Sequence, residues 1–144
     1  MIAVDTNLLV YAHRRDADFH EEAASAVRSL AEGSAAWAIP WPCIHEFVAI
    51  STHPRIYGPP SSREEALGQV KAWLSSPTVR TLAEGPGYLR HLTESIESAR
   101  ATGGAVHDAR IAALCRYHGV DVLWSADRDF TRYPNLRAEN PLNG

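Results

Sequence analysis

Met1-Ile2-Ala3-Val4-Asp5-Thr6-Asn7-Leu8-Leu9-Val10-Tyr11-Ala12 opens the chain, and this stretch decides the fold. Ile2, Ala3 and Val4 are apolar throughout and read as a short buried strand that ends at Asp5. Thr6 or Asn7 can cap the helix that follows, which carries Leu8, Leu9, Val10 and Tyr11. The chain thus begins with a buried strand that meets an acid and turns at once into a helix.

The same alternation continues outward from it. Trp37-Ala38-Ile39, bounded by Pro40, is a second apolar run, Val79 to Leu82 a third, and Val120-Asp121-Val122-Leu123-Trp124 a fourth. Helical segments separate them. One spans about 19–32 and is stopped by Gly33; the next has Pro42 in its first turn and runs to about Thr52, where His53-Pro54 ends it. Ser61-x-x-Glu64 and Ser62-x-x-Glu65 both fit a capping box opening a helix to Trp73 or Leu74. Further helices cover about 87–100, ending near Gly103-Gly104, and about 105–118, stopped by Gly119. Short strands alternating with helices predict an α/β sandwich with a mainly parallel sheet and right-handed crossovers. In such sheets the working site lies beyond the carboxyl ends of the strands.

Composition bounds the class. A chain of 144 residues and 15.8 kDa suits one domain, residues 1–144, and 45% hydrophobic content provides for a packed core and excludes general disorder. Cys43 and Cys115 make neither a disulfide framework nor a CxxC metal site, and Cys115 reads as core. No apolar run approaches the roughly 20 residues of a membrane span. The first residues lack the basic n-region of a signal peptide, so a soluble cytoplasmic protein is expected. The net charge is −3, and all 14 basic residues except Lys71 are arginines. Taken alone, an acidic balance argues against a nucleic-acid partner.

The acids change that reading. Asp5 follows the first strand; Asp127 and Asp129 follow the last, in Ser125-Ala126-Asp127-Arg128-Asp129-Phe130. Parallel strands bring these groups to one sheet edge. Glu46 lies in the first turns of one apolar helix and Asp108 at the start of another, and both helices follow loops that can emerge there. Each acid alone suits a helix N-terminus. Together, like charges repel and raise one another's pKa. They persist as ions only around a cation, and an all-oxygen set suits Mg²⁺ or Mn²⁺, one or two ions, rather than zinc. Such a site is the usual apparatus of phosphoryl chemistry.

Four blocks carry a resemblance that spans essentially the whole chain. Met1 to Ala12, Pro42-Cys43-Ile44-His45-Glu46-Phe47, Val106-His107-Asp108-Ala109-Arg110-Ile111-Ala112-Ala113-Leu114 and Ser125 to Phe130 resemble, in order, the blocks of PIN-domain proteins. The likeness is greatest to VapC-like toxins of bacterial toxin–antitoxin pairs. The resemblance implies a three-layer α/β/α sandwich and an acidic metal-binding quartet of Asp5, Glu46, Asp108 and Asp127. Asp129 would be an auxiliary acid, with Thr6, Asn7 and Ser125 as polar supports; Ser125 stands where the family often has Thr. It further implies Mg²⁺- or Mn²⁺-dependent endoribonuclease activity, a homodimer and a small VapB-like antitoxin inserting near the site. Leaving the quartet out of the −3 balance gives +1, so the acidic total no longer opposes an RNA substrate.

Other residues are less specific. Arg14, Arg15, Arg110 and Arg128 are candidates to touch RNA phosphates or the antitoxin. His45 and His107 each precede a site acid, but neighbours on a helix point about 100° apart, so they are not expected to share an ion. Trp41, Trp73, Trp124 and Tyr57 are candidates to stack bases, Tyr57 foremost and Trp124 more as core. The apolar stripes Ile44, Phe47, Val48 and Leu67, Val70, Trp73, Leu74 divide between core and interface in a way the sequence leaves open. A haloacid-dehalogenase-like phosphatase wants a second Asp at position 7, which is Asn. Both that class and phospho-acceptor receivers want a late Lys, and Lys71 is mid-chain. A non-catalytic RNA- or protein-binding module is the remaining alternative.

Overall fold

The structure is a computed structural model and describes residues 1–143. Strand β1 (Ile2–Val4) leads into helices α1 (Thr6–His13) and α2 (His20–Ala31). Strand β2 (Trp37–Pro40) follows, then α3 (Trp41–Ser51) and α4 (Arg63–Leu74), and then β3 (Val79–Leu82). Helices α5 (Tyr88–Ala99) and α6 (Ala105–Tyr117) lead to β4 (Val122–Trp124), a 3-10 turn (Arg128–Arg132), β5 (Ala138–Glu139) and a last 3-10 turn (Pro141–Asn143).

The sheet order is β3-β2-β1-β4-β5 and every pairing is parallel. The chain steps one way from β1 to β3, then returns across the sheet to β4. Right-handed crossovers therefore place α1–α4 on one face and α5 and α6 on the other. Packing follows that division: α1 lies on α2 and α3, α3 on α4, and α5 on α6. The strand order reverses between β1 and β4, which opens a crevice at their carboxyl ends. Register places Val4 beside Trp124, so Asp5 emerges next to Ser125.

The core fills both sides of the sheet. Trp37, Phe47, Phe130, Leu8, Leu9 and Ile39 are fully buried. Phe47 meets Trp73 edge-on at 4.8 Å, and the indole N–H of Trp37 donates to Ser76 Oγ at 3.1 Å. The two stripes left open by the sequence are mostly core: Ile44, Phe47, Val70 and Trp73 are buried, whereas Leu67 is 49% exposed. Trp124, read more as core, is only half-buried.

Several local expectations are corrected. Neither Thr6 nor Asn7 caps α1; Asp5 holds the N-cap position without a side-chain cap bond, because both polar side chains reach across the fold instead. Of the two capping boxes only Ser62 with Glu65 forms, while Ser61 Oγ turns inward to His13 and Arg14. Helices α5 and α6, by contrast, end where expected: α5 on the left-handed C-cap Arg100 (φ 53°), and α6 just ahead of Gly119, whose φ of 68° suits glycine. Strand β5 has no counterpart in the sequence reading.

Candidate metal centre

Four junctions of the fold deliver the acids. Asp5 ends β1 and is 4% exposed, with its backbone N–H donating to the Trp124 carbonyl at 2.9 Å. Pro40 hands β2 directly to α3, with Pro42 in the first turn, and Glu46 follows in the second. Asp108 sits in the first turn of α6. Asp127 precedes the 3-10 turn after β4, and its Oδ1 accepts from the Asp129 N–H at 2.8 Å.

Hydroxyls and an amide fasten the acids. Ser125 Oγ donates to Asp5 Oδ2 at 2.6 Å and accepts from the Asp127 N–H at 3.0 Å. One hydroxyl thus links the acids of β1 and β4. Thr6 Oγ1 donates to Glu46 Oε2 at 3.0 Å, and Asn7 Oδ1 accepts from the Ala126 N–H at 3.2 Å. Cys43 Sγ, on α3, donates to Asp5 Oδ1 at 3.6 Å. The sequence reading missed Cys43. Its available signal was the three-residue spacing to Glu46, which puts both on one helical face.

Electrostatics report the crowding. Asp108 is pushed up to about 6, first by burial and then by the charges of Asp127, Asp5, Asp129 and Glu46. Burial also raises Asp5, opposed by its hydrogen bonds to Ser125, the Thr6 backbone and Cys43, with Glu46 adding to the rise. Asp108, Asp127 and Asp129 each place one carboxylate oxygen within 4.8 Å of the others. Two oxygens bound at 2.0–2.1 Å on opposite sides of one ion are about 4.2 Å apart, so the spacing of this set is compatible with a single hard divalent cation. Asp129, expected as an auxiliary acid, stands within this tightest group.

The basic candidates divide. Arg14 is engaged: it pairs with Asp16 through Nε (2.9 Å) and Nη2 (2.7 Å), and donates to the Pro59 carbonyl (2.9 Å) and Ser61 Oγ (3.1 Å). It also lies 4.4 Å over the Tyr57 ring and covers that face. Arg110 pairs with Glu84 at 2.6 Å. Arg15 and Arg128 are exposed and make no ion pair among the described residues. Arg15 borders a cleft of about 750 Å³ shared with Arg28, His13 and His20. His45 and His107 are exposed, and Trp73 is buried against Phe47.

Comparison with known proteins gives one answer. Ribonuclease VapC48 of Mycobacterium tuberculosis (strain ATCC 25618 / H37Rv) is 31% identical over 140 residues, covering 97% of each chain. Ribonuclease VapC43 of the same strain is 31% identical over 144 residues, covering all of this chain and 97% of its own. Among solved structures, VapBC2 from Rickettsia felis, bound to a DNA fragment from their promoter, superposes with a TM-score of 0.68 at 21% identity. That alignment covers 97% of this chain and 98% of the other. Residues 2–136 match the PIN domain family, and the chain belongs to it.

Proposed function

We propose that this protein is a divalent-metal-dependent endoribonuclease, the toxin of a toxin–antitoxin pair, acting in the cytoplasm as one PIN domain over residues 1–144. The observation that supports the reading is the grouping of Asp108, Asp127 and Asp129, with Asp5 and Glu46 close enough for their charges to raise Asp108 as well. Relatives at 31% identity over nearly the whole chain are named ribonucleases, which supports the same conclusion.

Asp108, Asp127 and Asp129 would hold one Mg²⁺ or Mn²⁺ ion, with Asp5 and Glu46 completing the site for that ion or a second. When bound, such ions activate water and stabilise charge on a leaving oxygen. The protein's own contribution is arrangement. Ser125 holds Asp5 and the Asp127 backbone in one geometry, Thr6 orients Glu46, and Asn7 ties α1 to the loop after β4. Burial and the neighbouring acids raise Asp108 to about 6, so a proton competes with the cation for this carboxylate as the pH falls toward that value. Hydrolysis of the RNA phosphodiester would leave a 5′ phosphate and a 3′ hydroxyl.

Of the four candidate arginines, Arg15 and Arg128 make no ion pair among the described residues and would be available to RNA phosphate or antitoxin, while Arg14 and Arg110 would have to exchange their carboxylate partners first. Transfer RNA is the first substrate to test, and ribosomal RNA the second. The partners are a VapB-like antitoxin and a second copy of the chain. The test is cleavage of purified RNA with Mg²⁺, Mn²⁺ or EDTA by the native chain and by Asp5→Asn and Asp108→Asn. Metal-dependent cleavage lost in both folded variants supports the reading. RNA binding without cleavage in either ion would make the chain a binding module.

A further inference from the structure

Asp5 is gripped on both carboxylate oxygens from the protein interior. Ser125 donates to Oδ2 at 2.6 Å, and the Cys43 thiol donates to Oδ1 at 3.6 Å, within reach for a sulfur donor. Cys43 is fully buried and stands three residues before Glu46 on α3. One contact therefore runs from α3 to Asp5. A second runs the opposite way, from Thr6 Oγ1 to Glu46 Oε2 at 3.0 Å. Two bonds of opposite sense stitch the β1–α1 junction to α3, and each ends on an acid of the proposed metal centre. The partners behind metal ligands orient them, and losing one costs about 10–100-fold in affinity.

We propose that Cys43 is a positioning residue: its thiol fixes the Asp5 carboxylate relative to α3, so that Asp5 and Glu46 are held at their working separation before a cation arrives. This rests on the metal-binding reading of the acidic cluster. The sulfur also suits the distance. A serine hydroxyl sits closer to its own backbone than a thiol does, and O–H···O bonds need about 2.5–3.0 Å, so Ser at position 43 would fall short of Asp5 Oδ1. Valine fills about the same volume and donates nothing. Cys115 supplies a control, being buried in α6 with no hydrogen bond to an acid among the described residues.

The experiment is Mn²⁺ binding to the whole chain without RNA, by calorimetry and by electron paramagnetic resonance. Cys43→Val and Cys43→Ser should each weaken Mn²⁺ about tenfold, the lower end for a lost partner of a ligand. Both variants lose a buried hydrogen bond and should melt below the native chain while remaining folded at the assay temperature, and Cys115→Val should bind Mn²⁺ normally. A second readout is the infrared S–H stretch assigned by its loss in Cys43→Ser: Mn²⁺ should shift it, because the ion withdraws charge from the acceptor. Native affinity in both Cys43 variants overturns the proposal and leaves the metal reading standing. Absence of Mn²⁺ binding by the native chain removes both. If the Cys43 variants fail to fold, the band that remains in Cys115→Val belongs to Cys43, and its indifference to Mn²⁺ overturns the proposal.

Discussion

Replacing Asp108 by Asn should stabilise the metal-free protein at neutral pH while abolishing its activity. The carboxyl is raised from 3.8 to about 6 by burial and by Asp127, Asp5, Asp129 and Glu46. A folded value above the unfolded one means that the folded chain holds this proton more tightly. The ionised form is then penalised in the folded state. That penalty is complete above about pH 6, fades as the pH falls toward 3.8, and is absent below. The gap sets an upper limit of about 3 kcal/mol. Asp108 is only half-buried, and solvent screening reduces this to about 1 kcal/mol. For a chain of this size that is a gain of roughly 3 °C in Tm. The assay is thermal melting by circular dichroism in EDTA at pH 7.5 and pH 4. The gain should be present at the first pH and gone at the second. With Mn²⁺ at about 100 times its Kd the order should invert, since the native chain gains about 2.7 kcal/mol from the ion. An Asp108→Asn protein that melts at or below the native chain at pH 7.5 in EDTA refutes the argument that burial and the neighbouring acids penalise the ionised Asp108.

Two further perturbations test other joints of the site. Ser125→Ala removes the donor to Asp5 Oδ2 and the acceptor of the Asp127 N–H, and should cost about 1–3 kcal/mol in urea unfolding and tenfold or more in Mn²⁺ affinity. Arg14→Met keeps the aliphatic stem but releases Asp16, Pro59 and Ser61, so limited proteolysis within 57–62 should accelerate several-fold, read by mass spectrometry. An unchanged cleavage rate would mean that the loop holds itself.

The architecture was legible because its signals are local. Apolar runs bounded by Asp5, Pro40 and Ser125 each turn into helix or loop within a residue or two, and Ser62 with Glu65 caps α4 as its spacing predicts. The position of each acid beyond a strand or at a helix start followed from the same alternation. Strand β5 was not legible, since two residues, one of them charged, carry no period; it exists through its pairing with β4. Thr6, Asn7 and Ser61 suited caps by composition, but tertiary partners 40, 119 and 48 residues away claim their side chains. Arg14 read as a free cation because nothing in the sequence says that its fork closes on Asp16. Cys43 was hidden by its apolar surroundings, and only folding brings the thiol to Asp5.

The order of assembly follows from the central place of β1. Its neighbour β4 and the hydroxyl that grips Asp5 lie 120 residues further along the chain. At about 5–20 residues per second, a ribosome needs roughly 6–24 s after making Asp5 before Ser125 exists. During that interval β1 can pair with β2 alone, and the crevice lacks one wall. Contacts so distant in sequence form late in folding. The nascent chain therefore carries half of a ribonuclease past the RNA of the ribosome that makes it, and completes the site only once β4 and Ser125 have followed β1 out of the ribosome.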